Sequence, residues 1–359
     1  MASAVLDVQG DACVDLDPEA AAESAGLIYA SDAEPGWSRR KLRGGFAYFD
    51  RGGDMIRDER KLVRVRGLAI PPAWREVWIC PSPRGHMQAT GRDDRGRKQY
   101  RYHPDWIEVR DEAKFDRLIE FAKALPAIRR RIDADLSRRG LPREKVVAAV
   151  VRLLDETLIR VGNDEYRRAN GSYGLTTLQN RHVAVGASAL RFSFKGKSGK
   201  QWQLKLADRR IARIVRACQD IPGQHLFQYV GEDGGHHPIG SQDVNGYIHG
   251  LLGAGFTAKH FRTWAGTVQA ALSLRARAPF ESQGQARRKL NAALDEVAAR
   301  LVNTRAIARR CYVHPVVIEA WLAGTLPEAL DRAAKKRRRR GLHADEAMVL
   351  AFLEERGKG

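Results

Sequence analysis

The first 38 residues contain no lysine or arginine, and the chain's first basic residue is Arg39. The positively charged start of a secretory signal is therefore missing. No apolar run approaches the roughly 18 residues that a membrane-spanning helix requires, so no membrane partner is expected. Cysteine is scarce, with only Cys13, Cys80, Cys218 and Cys311. None lies within metal-ligand spacing of another and no C-x-x-C occurs, so reduced thiols in a reducing compartment are expected. The sequence has no G-x-x-x-x-G-K-[ST], which removes a P-loop ATPase. Asp93-Asp94 is the one tempting carboxylate pair and it lies inside a basic loop, so a two-metal nuclease has little support. His236-His237 has no third ligand at helical or hairpin spacing, and no metal site is expected.

Positive charge is what the chain has in excess. Its 359 residues carry a net charge of +19, with a pI near 10.1. The eight acids of the first 38 residues leave +27 on the remainder. Such a balance implies a polyanionic partner, and with no membrane signal that partner is nucleic acid. A hydrophobic content of 43% is enough for a real core, and the length suggests two domains or one large one.

Residues 1–36 read as an acidic, disordered tail, which can also compete with phosphates for a basic surface. From residue 37 to 106 the pattern is β-rich. Gly45–Phe49 and Glu76–Cys80 read as strands. His86–Tyr102 reads as a hairpin whose loop carries Arg92, Arg95, Arg97, Lys98 and Arg101, interleaved with Gln99, Tyr100 and Tyr102. Arginine and lysine can neutralise phosphates, glutamine can read a base edge, and tyrosine offers a ring and a hydroxyl. Residues 107–328 turn mostly helical, with Phe115, Leu118, Phe121, Ala122 and Leu125 at helical spacing. Within that region Leu190–Phe194 and Gln201–Leu206 alternate cleanly as a hairpin around a loop with three lysines, Lys195, Lys197 and Lys200. Residues 329–359 read as a basic tail or helix containing Lys335–Arg340. The fold expected is α+β: a small β-rich amino-terminal domain, then a larger, mostly α-helical domain carrying a small hairpin sheet.

What remains is a metal-free way of handling a phosphodiester. It needs a nucleophile, charge to stabilise the pentavalent state, and an acid for the leaving oxygen. Arginine suits the second task because its planar fork stays charged, and lysine can serve as the acid. Tyrosine can serve as the nucleophile, although an unperturbed pKa near 10 means surrounding cations must favour the phenolate.

Arg160 (in Ile-Arg-Val-Gly-Asn-Asp-Glu-Tyr), Lys197 (in Phe-Lys-Gly-Lys-Ser-Gly-Lys), Arg262 (in Lys-His-Phe-Arg-Thr-Trp) and Tyr312 occur in that order. The set resembles the poxvirus and bacterial type of DNA topoisomerase IB. The stretches 91–103 and 174–182 resemble the same family, so that the resemblance spans roughly residues 37–325. It implies the fold of the DNA breaking–rejoining enzymes. Tyr312 would attack the scissile phosphate and form a 3′-phosphotyrosyl enzyme. Arg160 and Arg262 would hold the non-bridging oxygens, and Lys197 would protonate the departing 5′ oxygen. Many relatives carry a histidine nine positions before the tyrosine; here that position is Asn303, which can donate a hydrogen bond but cannot act as a cation or general acid.

The resemblance also implies DNA contacts by Arg97, Lys98, Gln99, Tyr100, Tyr102, Tyr166 and Lys259. It implies double-stranded DNA as partner, no cofactor, no nucleotide, and a monomer, cytoplasmic and nucleoid-associated if the source is bacterial. The rival with the same chemistry is a tyrosine recombinase. That class usually shows H-x-x-R at the second arginine, where this chain has Lys259, and a shorter spacing than the 50 residues between Arg262 and Tyr312. A non-enzymatic, DNA-architectural protein explains the charge but not the ordered set.

Overall fold

The structure, a computed structural model, describes residues 18–94, 96–253, 255–277, 279–336 and 340–357. Residues 1–17 of the acidic segment, Arg95 of the basic loop and Arg337–Arg339 of the basic block lie outside the described residues. The described residues fall into two compact units, divided between Asp116 and Arg117. The division falls inside a helix, ten residues beyond the change of pattern near residue 106.

The first unit holds α1 (Pro18–Ser24), β1 (Trp37–Leu42), β2 (Gly45–Phe49), α2 (Glu59–Gly67), β3 (Arg75–Ile79), β4 (Met87–Arg92) and β5 (Lys98–Tyr102). The strands make one antiparallel sheet in the order β2-β1-β3-β4-β5. Trp37, Val65, Trp74, Val77 and Ile79 form its core. Asp58 caps α2 by accepting from the Arg60 and Lys61 amides. Residues 18–36 are not a free tail. Ala22 and Leu27 are buried against Trp106, and the backbone of Ile28 pairs with that of Arg84 and His86. The apolar residues between the acids supply enough burial to anchor this stretch.

A long helix, α3 (Pro104–Leu136), runs into the second unit, with proline at its first position where no amide partner is needed. There follow α4 (Arg143–Thr157), α5 (Asp164–Asn170), β6 (Val183–Val185), β7 (Leu190–Lys195), β8 (Gln201–Leu206), α6 (Arg209–Gln219), β9 (Gln228–Val230) and β10 (His236–Pro238). Then come α7 (Ser241–Leu252), α8 (Ala258–Arg275), α9 (Gln283–Leu301), α10 (Arg305–Ile307), a π-helical turn (Ala308–Tyr312), α11 (Pro315–Leu322), α12 (Leu326–Ala334) and α13 (Ala344–Arg356).

Helix α4 is apolar nearly all round, with Val146–Val151, Leu153 and Leu154 buried, as befits the centre of a helical domain. Strands β6-β7-β8 form a small sheet. Leu190, Phe192 and Phe194 point inward and their neighbours outward, the alternation read from the sequence. His236 and His237 sit in β10, which pairs antiparallel with β9. The fold is thus α+β, with the β-rich and helical units in the expected order.

The end of the chain is helical as well. Met348, Phe352 and Leu353 of α13 are buried, as are Leu326 and Leu330 of α12. Among the described residues no helix is long and apolar enough to cross a membrane.

Candidate active site

Four separate stretches of the second unit converge on Asn303, Arg262 and Tyr312. Arg160 follows α4, which ends at Leu158 in a left-handed conformation (φ 59°). This reversal sends residues 159–162 back past a short helical turn at Leu175–Thr177. The Leu175 amide donates to the Arg160 carbonyl at 2.9 Å, and the Thr176 amide donates to that of Val161 at 2.7 Å. Gly174 makes the approach possible, since a Cβ there would lie 2.6 Å from the Arg160 carbonyl oxygen. The 174–182 motif is therefore the wall that Arg160 leans on. The Arg160 guanidinium donates from Nη2 to Asn303 Oδ1 at 2.8 Å.

Asn303 is placed by the end of α9. The Asn303 amide donates to the Ala298 carbonyl at 2.8 Å and the Val302 amide to that of Ala299 at 3.1 Å. This is a Schellman closure, with Val302 at φ 51° where glycine is usual. A β-branched residue in that region is strained, and the strain sits next to the side chain that contacts Arg160. Asn303 Oδ1 is taken by Arg160, while its Nδ2 is buried with no hydrogen-bond partner among the described residues. A donor left in that state costs about 1–3 kcal/mol, and a phosphate oxygen would satisfy it.

Arg262 lies in α8 and is 3% exposed. Its guanidinium donates from Nη1 to the Leu158 carbonyl and from Nη2 to the Leu301 carbonyl, the latter at 2.8 Å. Both acceptors stand at helix C-termini, where unused carbonyls and the helix dipole favour a cation. A buried charge is thus stabilised by the ends of α4 and α9, which fixes their spacing. Arg262 Cζ lies 5.1 Å from the centre of the Tyr312 ring.

Tyr312 closes the π-helical turn and is half-buried. Thr267 Oγ1 bridges the chain there, donating to the Tyr312 carbonyl (3.3 Å) and accepting from the His314 amide (3.1 Å). A Cβ on Gly266 would stand 2.6 Å from the Tyr312 carbonyl oxygen and 3.0 Å from its Cβ. Sequence reasoning passed over Gly266 and Thr267. The signal was present: a glycine inside a helix, four residues after Arg262, costs about 1 kcal/mol against alanine and marks a close approach. His314 ends the turn by accepting the Val316 amide at Nδ1, with Pro315 at the start of α11.

Lys197 opens a single 3-10 turn, Lys197–Gly199, at the tip of the β7–β8 hairpin. The tip is joined to the site by Lys200, whose Nζ donates to the Asn303 carbonyl at 2.8 Å. Lys259 is half-buried in α8, one turn before Arg262. Tyr166 is on α5 and its side chain lies outside the described set. Among the described residues no group of three or more His, Cys, Asp or Glu side chains is placed to hold a metal ion.

The basic hairpin belongs to the first unit. Tyr100 and Tyr102 stack at 5.8 Å on the same face of β5 as Lys98. Lys98 is paired with Asp32 at 2.6 Å, and Arg97 with Asp93 at 2.6 Å. Gln99, expected to reach a base edge, is instead 1% exposed and donates to Asp93 Oδ2 at 3.0 Å. The two-residue period of a strand explains this, because it puts Gln99 on the face opposite Tyr100 and Tyr102. Asp32 itself is held below the usual carboxylate range. Burial works against that direction, and the Lys98 and Thr90 hydrogen bonds outweigh it.

A family model described as the catalytic core of eukaryotic DNA topoisomerase I matches residues 103–325, and one described as the N-terminal domain of bacterial DNA topoisomerase IB matches residues 45–93. The chain is 30% identical over 283 residues to the DNA topoisomerase 1B of Acanthamoeba polyphaga mimivirus, covering 77% of this chain and 84% of the viral protein. It is 24% identical over 147 residues to the DNA topoisomerase 1B of Vaccinia virus (strain Copenhagen), covering 40% of this chain and 46% of that protein. The first match spans most of both proteins, and the catalytic-core match takes in Arg160, Lys197, Arg262, Asn303 and Tyr312; the chain belongs to the type IB DNA topoisomerases, isomerases whose substrate is DNA.

Proposed function

We propose that this enzyme relaxes positive and negative supercoils by cutting one strand through Tyr312, letting it rotate, and resealing it. The convergence of Arg160 and Arg262 on the Asn303–Tyr312 segment is the observation that carries the reading. In the cleavage step the Tyr312 oxygen bonds to the scissile phosphorus and its proton passes to water. The bond from phosphorus to the 5′ oxygen breaks, its electron pair stays on that oxygen, and Lys197 supplies the proton. The product is a 3′-phosphotyrosyl enzyme and a free 5′-hydroxyl. Religation is the reverse, so the energy of the broken bond is kept in the phosphotyrosine and neither nucleotide nor obligatory metal is needed.

Arg160 and Arg262 stabilise the charge that builds on the non-bridging oxygens, and Asn303 adds its amide N–H. Each such donor is worth about 10²–10³ in rate where water is excluded. Asn303→Ala is therefore expected to slow single-turnover cleavage by about 10²–10³-fold with DNA binding retained, and Asn303→His to keep substantial activity. Cleavage by Asn303→Ala at the wild-type rate would remove this residue from the machinery. Lys98, Tyr100, Tyr102, Lys259 and Tyr166 are proposed to touch DNA. Arg97 would exchange Asp93 for a phosphate, and Gln99 would have to leave Asp93 to reach a base. We take the enzyme to act as a monomer, at the nucleoid if the source is bacterial.

The test is supercoiled plasmid with EDTA and no ATP. A ladder of relaxed topoisomers is expected. A requirement for magnesium or ATP, or strand-exchanged products only from paired specific sites, would overturn the reading; the second result would indicate a recombinase.

A further inference from the structure

The loop between β7 and β8 holds two lysines, Lys197 and Lys200, and the mechanism above uses one of them. Lys197 lies in a 3-10 turn of three residues, Lys197–Gly199. The turn closes locally: the Gly196 amide donates to the Lys200 carbonyl at 2.8 Å, and the Gly199 amide to the Gly196 carbonyl at 3.1 Å. Gly199 takes φ +76°, a conformation that glycine adopts without strain. Lys200 then reaches away from the hairpin. Its ammonium donates to the main-chain carbonyl of Asn303, 103 residues along the chain, at 2.8 Å. That carbonyl stands just past the C-terminus of α9, where a cation is favoured. Asn303 is therefore engaged twice, through its backbone by Lys200 and through its side chain by Arg160.

We infer that Lys200 is a positioning residue that holds the hairpin against the Asn303 segment, so that Lys197 stands ready at the departing 5′ oxygen. The inference rests on the proposed role of Lys197 as acid. Lys200 touches no reacting atom. It ties the proton donor to the same residue that orients Arg160, so that charge stabilisation and protonation are set up together. Arginine can replace the donor at Lys200; methionine keeps the stem and removes the hydrogen bond.

Two substrates separate positioning from mere support. One is a duplex with the natural oxygen at the scissile position. The other carries sulfur in place of the bridging 5′ oxygen. Sulfur departs as a thiolate that needs no proton, so a defect in acid delivery disappears on the second substrate. A general loss of site structure does not. Single-turnover cleavage is followed for wild type, Lys200→Met, Lys200→Arg and Lys197→Ala.

With the oxygen substrate Lys200→Met is expected to cleave about 10- to 100-fold more slowly, the effect of one lost charge-assisted hydrogen bond. With the sulfur substrate it is expected within about threefold of wild type, as is Lys197→Ala, since neither then needs the acid. Lys200→Arg should restore most of the rate on oxygen, and DNA affinity should be unchanged throughout. Wild-type cleavage of the oxygen substrate by Lys200→Met, or an equal defect on both substrates, would overturn the inference. If Lys197→Ala alone fails to recover on sulfur, the acid assignment falls and this inference with it. If wild type cleaves neither duplex, it is the functional reading that fails.

Discussion

Tyr312→Phe is expected to fold, to bind DNA, and to form no covalent adduct. The substitution removes one hydroxyl. Three contacts that seat the residue are made by other atoms: the Tyr312 carbonyl accepts from Thr267 Oγ1, the backbone lies on Gly266, and Arg262 stands over the ring. All three survive the change, so thermal stability should stay close to that of the wild type. Chemistry should not survive it. Without the nucleophile the reaction falls back on water, and a loss of about 10⁴-fold or more is expected in single-turnover cleavage. Filter binding at low salt and cleavage of a labelled duplex measure the two properties separately. Adduct formation by Tyr312→Phe would mean that the nucleophile lies elsewhere.

Arg129→Met is expected to have the largest effect on stability. Arg129 donates from Nε to Asp155 at 2.8 Å and from Nη1 and Nη2 to Glu346 at 2.7 and 2.9 Å, with all three side chains largely buried. Trp264 Nε1 donates to the same Glu346 at 3.2 Å. This network ties α3, α4 and α13 to α8, the helix that carries Arg262. Removing the arginine strands two carboxylates in a dry site. The expected cost is about 3–5 kcal/mol, or roughly 6–20 °C in Tm for a unit of this size. A shift under about 2 °C would mean that water reaches the network.

The same network sets a pH dependence of known sign. Burial alone would push the Glu346 carboxyl up, but the Arg129 hydrogen bonds and charge outweigh burial and hold it below its ordinary value of 4.5. A depressed carboxyl contributes stability that is present above its unfolded value and lost as pH falls through the folded one. The wild type should therefore lose stability on acidification below 4.5. In Arg129→Met the largest opposition to burial is gone, leaving burial, which favours the protonated form, against the His343 and Trp264 hydrogen bonds. The gap in stability between the two proteins should narrow as the pH is lowered. A gap that stays constant from neutral pH into the acid range would contradict this account of Glu346.

The β-rich unit, the helical unit and the β7–β8 hairpin were legible in the sequence because each rests on local periodicity. The proposed catalytic set stands in the sequence as an ordered series of motifs, and the structure brings Arg160, Arg262, Asn303 and Tyr312 near one another. What could not be read depends on contacts distant in sequence. Residues 18–36 look like a solvated acidic tail until Trp106 is there to cover Ala22 and Leu27. The folding of α12 and α13 onto the second unit was hidden by the basic block between them, whose charge dominates the composition. The inward turn of Gln99 follows from strand register, which a loop-like reading of residues 91–102 does not supply. The left-handed Leu158 and Val302 carry no sequence signal, since neither is a residue that prefers that conformation.

The central claim is that Tyr312 becomes joined to the 3′ end of the cut strand. The adduct formed on a duplex should be trapped by denaturation, digested with nuclease and trypsin, and mapped by mass spectrometry. The account predicts a nucleotide held by its 3′ phosphate on the peptide that follows Arg310, with the mass at Tyr312, and a 5′-hydroxyl on the released strand. A phosphate linked through a 5′ end, or attached to any other residue, would contradict it.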